Sequence, residues 1–214
     1  MNVRVGCVVL AGGAGRRFAK AASKLTARLN AKPLLQYAID AASASRAMGC
    51  TLVLGAATEQ ILACIDPRRC SIVENSHWQE GLASSLRCGL QIHAADDGCI
   101  FVLGDQPFVQ AADIDRLIRV FTQERNCIIA LRARAVWGAP ILFPRADFGG
   151  LLKLRGDYGA KPYAERQRKR VRFVDAVDER AFRDIDVHSD FQKLSHSTLR
   201  AEHGSREIRP SRLP

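Results

Sequence analysis

The stretch from Leu10 to Lys24 reads LAGGAGRRFAKAASK, and most of the chemistry visible in this chain is concentrated there. Gly12, Gly13 and Gly15 lack a Cβ, so the backbone can turn through positive φ and come close to a ligand. Successive N–H groups of such a loop point inward and form a concave anion site. Arg16, Arg17, Lys20 and Lys24 add charge, and forked arginine donors match phosphate geometry. A triphosphate is the natural occupant. Two other glycine loops do not fit. A P-loop needs G-x-x-x-x-G-K-[ST], a spacing absent after Gly12. A dinucleotide fingerprint needs a third Gly where Phe18 stands, and an acid at the end of the next strand, which Thr51 to Ala57 lacks.

Carboxylates complete this chemistry. Asp105 follows the apolar run FVLG and precedes Pro107 by two positions. A carboxylate at a strand's carboxyl end, beside a phosphate loop, is placed to hold Mg²⁺. Asp184 and Asp186 alternate with apolar residues in RDIDVHSDF, which predicts a short strand with both on one face. Asp184 is read as an exposed salt-bridging residue.

These groups need elements to position them. Val3 to Leu10 is a short apolar run of strand length that ends at the glycine pair. Pro33 to Met48 reads as a helix, with Pro33 in the first turn and Leu34, Leu35, Ala38, Ile39 and Ala42 on one face. Further strands are predicted at Cys50–Ala56, Cys70–Glu74, Cys99–Gly104 and Cys127–Leu131, with helices at Thr58–Ile65, Gly81–His93 and Gln110–Gln123. Ala139–Phe143 and Val171–Val174 are weaker strand candidates. Alternating strands and helices predict an α/β fold with a mostly parallel sheet covered on both faces. In such sheets ligands sit outside the carboxyl ends of the strands, where the glycine loop and Asp105 fall.

Composition sets the bounds. The 214 residues suffice for one substantial core, with no linker dividing it. No apolar run is long enough to span a membrane, and MNVRVGCVVLAGG is read as a first strand, not a signal peptide. Seven Cys, an odd number without C-x-x-C, predict reduced and mostly buried thiols in a cytoplasmic protein. The formal net charge is +10, and Lys153 to Arg172 alone contributes +6. That segment attracts anions, whether a phosphorylated substrate, a nucleic acid or an acidic partner. Nucleic acid is disfavoured as a partner, because no known binding motif accompanies the charge. The polar stretch 195–214 is expected to be a mobile tail after a domain spanning 1–194.

LAGGAGRRF, followed by Lys24 and PLL, resembles the signature of the molybdopterin nucleotidyltransferase family, specifically the molybdenum cofactor cytidylyltransferases. NSHWQEGLASSLRCGL, LGDQP, GAPILF and FRDIDVHSDF match later family segments in order, so the likeness covers roughly residues 3 to 191. The resemblance implies a single-domain, Rossmann-like three-layer sandwich. It implies transfer of CMP from CTP to the terminal phosphate of molybdenum-bound molybdopterin. It also implies a Mg²⁺ or Mn²⁺ cofactor and a molybdenum hydroxylase as possible partner. Carried over residue by residue, Leu10, Ala11, Gly12, Gly13, Ala14, Gly15, Arg16, Arg17 and Lys24 hold the nucleotide, with Asn75 and Ser85 within its reach. Arg17, Lys24 and Asp105 are the catalytic set, and Asp105 and Asp186 the metal ligands. Gly81, Gly138, Pro140, Gly156, Asp157 and Lys161 line the acceptor side.

Several positions depart from the family pattern. Ala19 replaces a Gly, Ser76 a Pro, Val187 a Thr and Lys161 an Arg. The spacing to Lys24 is longer than in the shortest family loops, so Lys20 competes with it for the phosphates. Ala11 to Gly13 match guanylyl members, whereas NSHW and LGDQP match cytidylyl members, and the longer motifs weigh more. GTP or another phosphorylated acceptor therefore stands as the alternative. From other classes, a non-catalytic accessory protein and a basic nucleic-acid module remain open.

Overall fold

A computed structural model describes residues 3–13, 24–67 and 69–182. β1 (Val5–Ala11) is followed by a small antiparallel pair, β2 (Arg28–Leu29) and β3 (Lys32–Pro33), and then α1 (Leu34–Ala44). The chain continues through β4 (Cys50–Leu54), α2 (Thr58–Leu62), β5 (Cys70–Glu74), α3 (Leu82–Ile92), β6 (Gly98–Leu103) and α4 (Ala111–Gln123). Then come β7 (Ile128–Ala133), β8 (Val136–Pro144), α5 (Phe148–Leu151), α6 (Ala160–Arg166) and β9 (Val171–Asp175). The expected α/β alternation is present. Helix α1 is shorter than predicted at both ends. Pro33 keeps extended ψ at 142°, and the Ser45 hydroxyl and N–H both donate to the Ala42 carbonyl, which closes the last turn.

The large sheet has seven strands in the order β5-β4-β1-β6-β8-β7-β9. It is mostly parallel, and β8 alone runs against its neighbours β6 and β7. β-strand alternation feeds two cores. Val5, Cys7 and Val9 pack with Leu35, Ala38, Ile114, Leu117 and Phe121 from α1 and α4. Val8 and Leu10 pack on the opposite face with Leu86 and Leu90 of α3 and Phe148 and Leu151 of α5. β1 is buried along its whole length, as a central strand must be. β5 is half-exposed, because it forms one edge of the sheet.

One expectation is corrected. Cys50 and Cys70 are joined as a disulfide, not left as free thiols. Their strands pair in parallel with these two residues directly opposite, which brings the Cα atoms to 4.6 Å. Sequence spacing carries no sign of this register. Buried thiols do exist elsewhere: burial pushes Cys7 up to about 12 and Cys99 well above its ordinary value, so neither is reactive. Cys64 is exposed, and Cys88 and Cys127 are half-buried. Reduction, or Cys70→Ser, is expected to cost about 3 kcal/mol and lower Tm by roughly 6–12 °C. A melting curve indifferent to reductant would show that the bridge does not form in solution.

Candidate functional site

β1, β4, β5, β6 and β7 all finish at one edge of the sheet, and the predicted motifs follow them there. The glycine loop follows β1, Asn75 follows β5, and Gly104–Asp105 follows β6. Gly104 sets the geometry. Its N–H donates to the Leu10 carbonyl at 3.0 Å, which extends the β1–β6 ladder to its end. A Cβ at Gly104 would come within 2.8 Å of Leu35 Cδ1 and 3.2 Å of that carbonyl, so a larger residue would have to displace both. Asp105 therefore leaves the sheet beside the start of the glycine loop.

Lys24 lies in a single 3₁₀ turn, Lys24–Thr26, and is buried. Its Nζ meets Asp105 Oδ2 at 2.5 Å, with side-chain exposures of 11% and 26%. The turn is anchored from below: Ala27 N–H donates to the Lys24 carbonyl, Leu34 N–H to Ala27, and the Tyr37 hydroxyl to Leu29. The residue predicted to hold phosphate thus meets the residue predicted to hold the metal, at a sequence separation of 81. Partial burial makes this charge-assisted bond stronger than a surface ion pair.

Asn75 and Ser85 take a different position from the one expected. Asn75 is buried, and its amide nitrogen donates to Ser84 Oγ at 2.7 Å and Ser85 Oγ at 3.0 Å. Its carbonyl oxygen accepts from His77 N–H at 3.0 Å. Its hydrogen-bonding groups are consumed inside the protein, so it clamps α3 to the end of β5. Ser85 in turn backs the glycine loop. A Cβ at Gly12 would meet Ser85 Oγ at 2.5 Å, while one at the exposed Gly13 would meet nothing within 4 Å. Gly12 is the packed residue of the pair and Gly13 presents bare backbone. Gly12→Ala is expected to push the loop out and weaken NTP binding about tenfold. Adding Ser85→Ala should recover part of that loss, because the nearest remaining atom, Ser85 Cβ, lies at 3.5 Å. Unchanged NTP affinity in Gly12→Ala, measured by calorimetry, would contradict this.

Residues 7–171 match the MobA-like NTP transferase domain. The chain belongs to this family. Nucleotidyl transfer from an NTP is the family's chemistry. Solved structures agree in fold. The Rv0371c homologue from Mycobacterium sp. strain JC1 superposes with a TM-score of 0.79 at 28% identity, over 92% of this chain and 98% of the other. Rv0371c of Mycobacterium tuberculosis, solved as a complex with manganese, gives 0.73 at 26% identity over 91% and 100%. A nucleotidyl transferase from Methanothermobacter shares the fold at 0.77 with 21% identity, over 92% and 99%. Among curated proteins, the bifunctional protein GlmU of Cutibacterium acnes is 28% identical over 130 residues, 59% of this chain and 31% of its own length. The chain therefore spans about a third of the curated relatives it matches.

Of the residues expected on the acceptor side, Gly81, Gly156 and Asp157 come together. A Cβ at Gly81, whose φ is 98°, would strike Asp157 Oδ1 and the Gly156 carbonyl group, each within 2.6 Å. The Gly156 carbonyl also accepts from Ala83 N–H at 3.0 Å in the first turn of α3. The loop after α5 thus caps the start of this helix. Gly138 and Pro140 are buried within β8, and Lys161 stands on the Trp137 ring at 5.1 Å. Trp78 serves as packing: its Cβ lies 2.6 Å from the Cβ position of Gly55. His77 faces solvent and pairs with Glu80 at 3.4 Å.

Ala14, Gly15, Arg16, Arg17, Lys20, Asp184 and Asp186 lie outside the described residues, as does 195–214. The last described residues pack near the strand ends. Arg180 stacks on the Phe108 ring at 4.4 Å, three residues after Asp105. Phe182 lies 3.5 Å from the Cβ position of Gly138. No sequence signal marked Arg180 or Trp137, whose partners are distant in the chain, and Phe182 was marked only as the first residue of FRDIDVHSDF. Among the described residues no three His, Cys, Asp or Glu side chains converge as a metal cluster, and no helix is long and apolar enough to cross a membrane.

Proposed function

We propose that this transferase moves a CMP group from CTP to the terminal phosphate of a molybdopterin-type acceptor and releases pyrophosphate. The observation that carries the catalytic reading is the Lys24–Asp105 pair beside the glycine loop. Its carboxylate already holds a cation, so its chemistry fits a divalent metal with hard oxygen ligands. Asp105 would hold that ion together with Asp186. Arg180 on Phe108 and Phe182 beside Gly138 support the pairing, because at most about 14 Å of chain separates residue 182 from residue 186. When bound, Mg²⁺ or Mn²⁺ supplies positive charge at the transferring phosphate.

The other roles belong to this chain's own groups. Backbone amides of the 12–15 loop cradle the β- and γ-phosphates, and Arg17 grips them with two parallel donors. Lys24 leaves Asp105 for the phosphates, exchanging one anion for another. Asn75 and Ser85 hold the loop from behind. An acceptor phosphate oxygen then attacks the α-phosphorus in line, and pyrophosphate departs. Positioning and charge neutralisation suffice, so no covalent nucleophile is needed.

Choice of CTP rests on the NSHW and LGDQP motifs, and GTP is the competing donor because AGG stands at Ala11–Gly13. Thermal shift with each NTP plus Mg²⁺ or Mn²⁺ tests both points. CTP should stabilise most, and Arg17→Ala should abolish the shift while leaving the unliganded Tm unchanged. A larger shift with GTP would replace the donor, and no shift with any NTP would overturn the reading.

A further inference from the structure

One cluster of charge is not absorbed by the nucleotide site. Trp137, at the start of β8, and Phe173, in β9, meet edge to face with ring centroids 5.4 Å apart. The Arg168 guanidinium sits 4.6 Å from the Phe173 centroid and 5.9 Å from that of Trp137. Lys161 Nζ lies 5.1 Å from the same Trp137 centroid. Two cations thus converge on one indole, which fixes their positions without neutralising them.

Four nearby cations are otherwise engaged. Arg170 is bound by Asp147, Arg172 by Glu124, Arg132 by Asp175, and Arg155 donates to the Leu152 and Leu154 carbonyls. Among the described residues, Lys161 and Arg168 meet no carboxylate and no hydrogen-bond acceptor. The two acids of Lys153–Arg172 do not serve them. Asp157 turns towards Gly81, and Glu165 forms no ion pair among the described residues. Two like charges held near one ring repel each other, and an anion shared between them relieves that cost.

The cluster also sits on the right rim. β8 is antiparallel to β6, so it enters the sheet at the edge where β6 delivers Asp105. Trp137 directly precedes Gly138, and Lys161 follows the loop that packs on Gly81.

We propose that Lys161 and Arg168, held on Trp137 and Phe173, form an anion subsite that seats a phosphate group of the acceptor. The identity of that occupant rests on the nucleotidyltransferase reading. Trp137 is a positioning residue, and the two cations make the contact. This gives Lys161 a working partner, because Arg168 supplies the fork that a lone ammonium lacks.

The test titrates the full chain with phenyl phosphate and inorganic phosphate at fixed ionic strength, following Trp fluorescence and calorimetric heat. Lys161→Gln and Arg168→Gln, both exposed, should each weaken phosphate binding by about fivefold or more, while the shift given by CTP with Mg²⁺ stays within about twofold. Trp137→Phe should retain most of the affinity and Trp137→Leu lose it; if Trp137→Leu fails to fold, the two cation variants decide alone. Equal phosphate affinity in both cation variants overturns the subsite. A single-stranded oligonucleotide bound far more tightly than phenyl phosphate at physiological salt, through the same two residues, also overturns it and assigns the surface to nucleic acid. Failure of every NTP to stabilise the parent protein would remove the transferase reading. A phosphate site sensitive to Lys161 and Arg168 would still stand in that case.

Discussion

Asp105→Asn is expected to abolish turnover, lowering kcat by roughly 10³-fold or more, while the protein stays folded. The side chain keeps its shape and one acceptor oxygen, so Lys24 retains a hydrogen bond. The stability cost should stay within about 2 kcal/mol, or a few degrees of Tm in a chain of this size. What the substitution removes is charge. An amide neither attracts a divalent cation strongly nor offsets the ammonium when the metal is absent. Pyrophosphate release in single turnover, with near-ultraviolet circular dichroism as the folding control, checks both halves. A variant that retains a tenth of the parent kcat would show that Asp105 is not the metal carboxylate.

Lys24→Met should move two affinities in opposite directions. The ammonium sits 2.5 Å from Asp105 Oδ2, where a divalent ion would compete with it. Removing the ammonium frees the carboxylate, so Mn²⁺ should bind more tightly in the absence of nucleotide. The same change deletes a charge-assisted contact to the phosphates, worth about 1.5–3 kcal/mol, so NTP affinity should fall by roughly 10–150-fold. Paramagnetic titration of Mn²⁺ and calorimetry of CTP read the two effects separately. If both affinities fall together, the pair is a structural prop and Lys24 does not switch partners.

The elements of this fold could be read from residue pattern because their signals are local. Val5 to Ala11 is apolar at every position, as a strand covered on both faces must be. α4 shows Ile114, Leu117 and Phe121 at helical spacing, and they are buried. The glycine loop was legible for the same reason, since the absence of Cβ is a property of the residue itself. Sequence also determined that the motifs follow strand ends, and chain order alone then placed Asn75 and Asp105 on one rim.

Tertiary structure decided everything that depends on register and strand order. Apolar strands look alike in sequence, so nothing announced that β8 would insert antiparallel between β6 and β7. That insertion carries Trp137 to the rim, where Lys161 and Arg168 reach it from later in the chain. The disulfide is a further case, because only the parallel register of β4 and β5 sets Cys50 opposite Cys70. The role of Asn75 changed on the same ground: its identity was visible, but the three groups that consume its hydrogen bonds come from the loop after β5 and from α3. The Lys24–Asp105 pair spans 81 positions, and no spacing rule links residues so far apart. Such contacts follow from which strands lie side by side, and the free energy that selects the strand order is spread over the whole core instead of residing in any one motif.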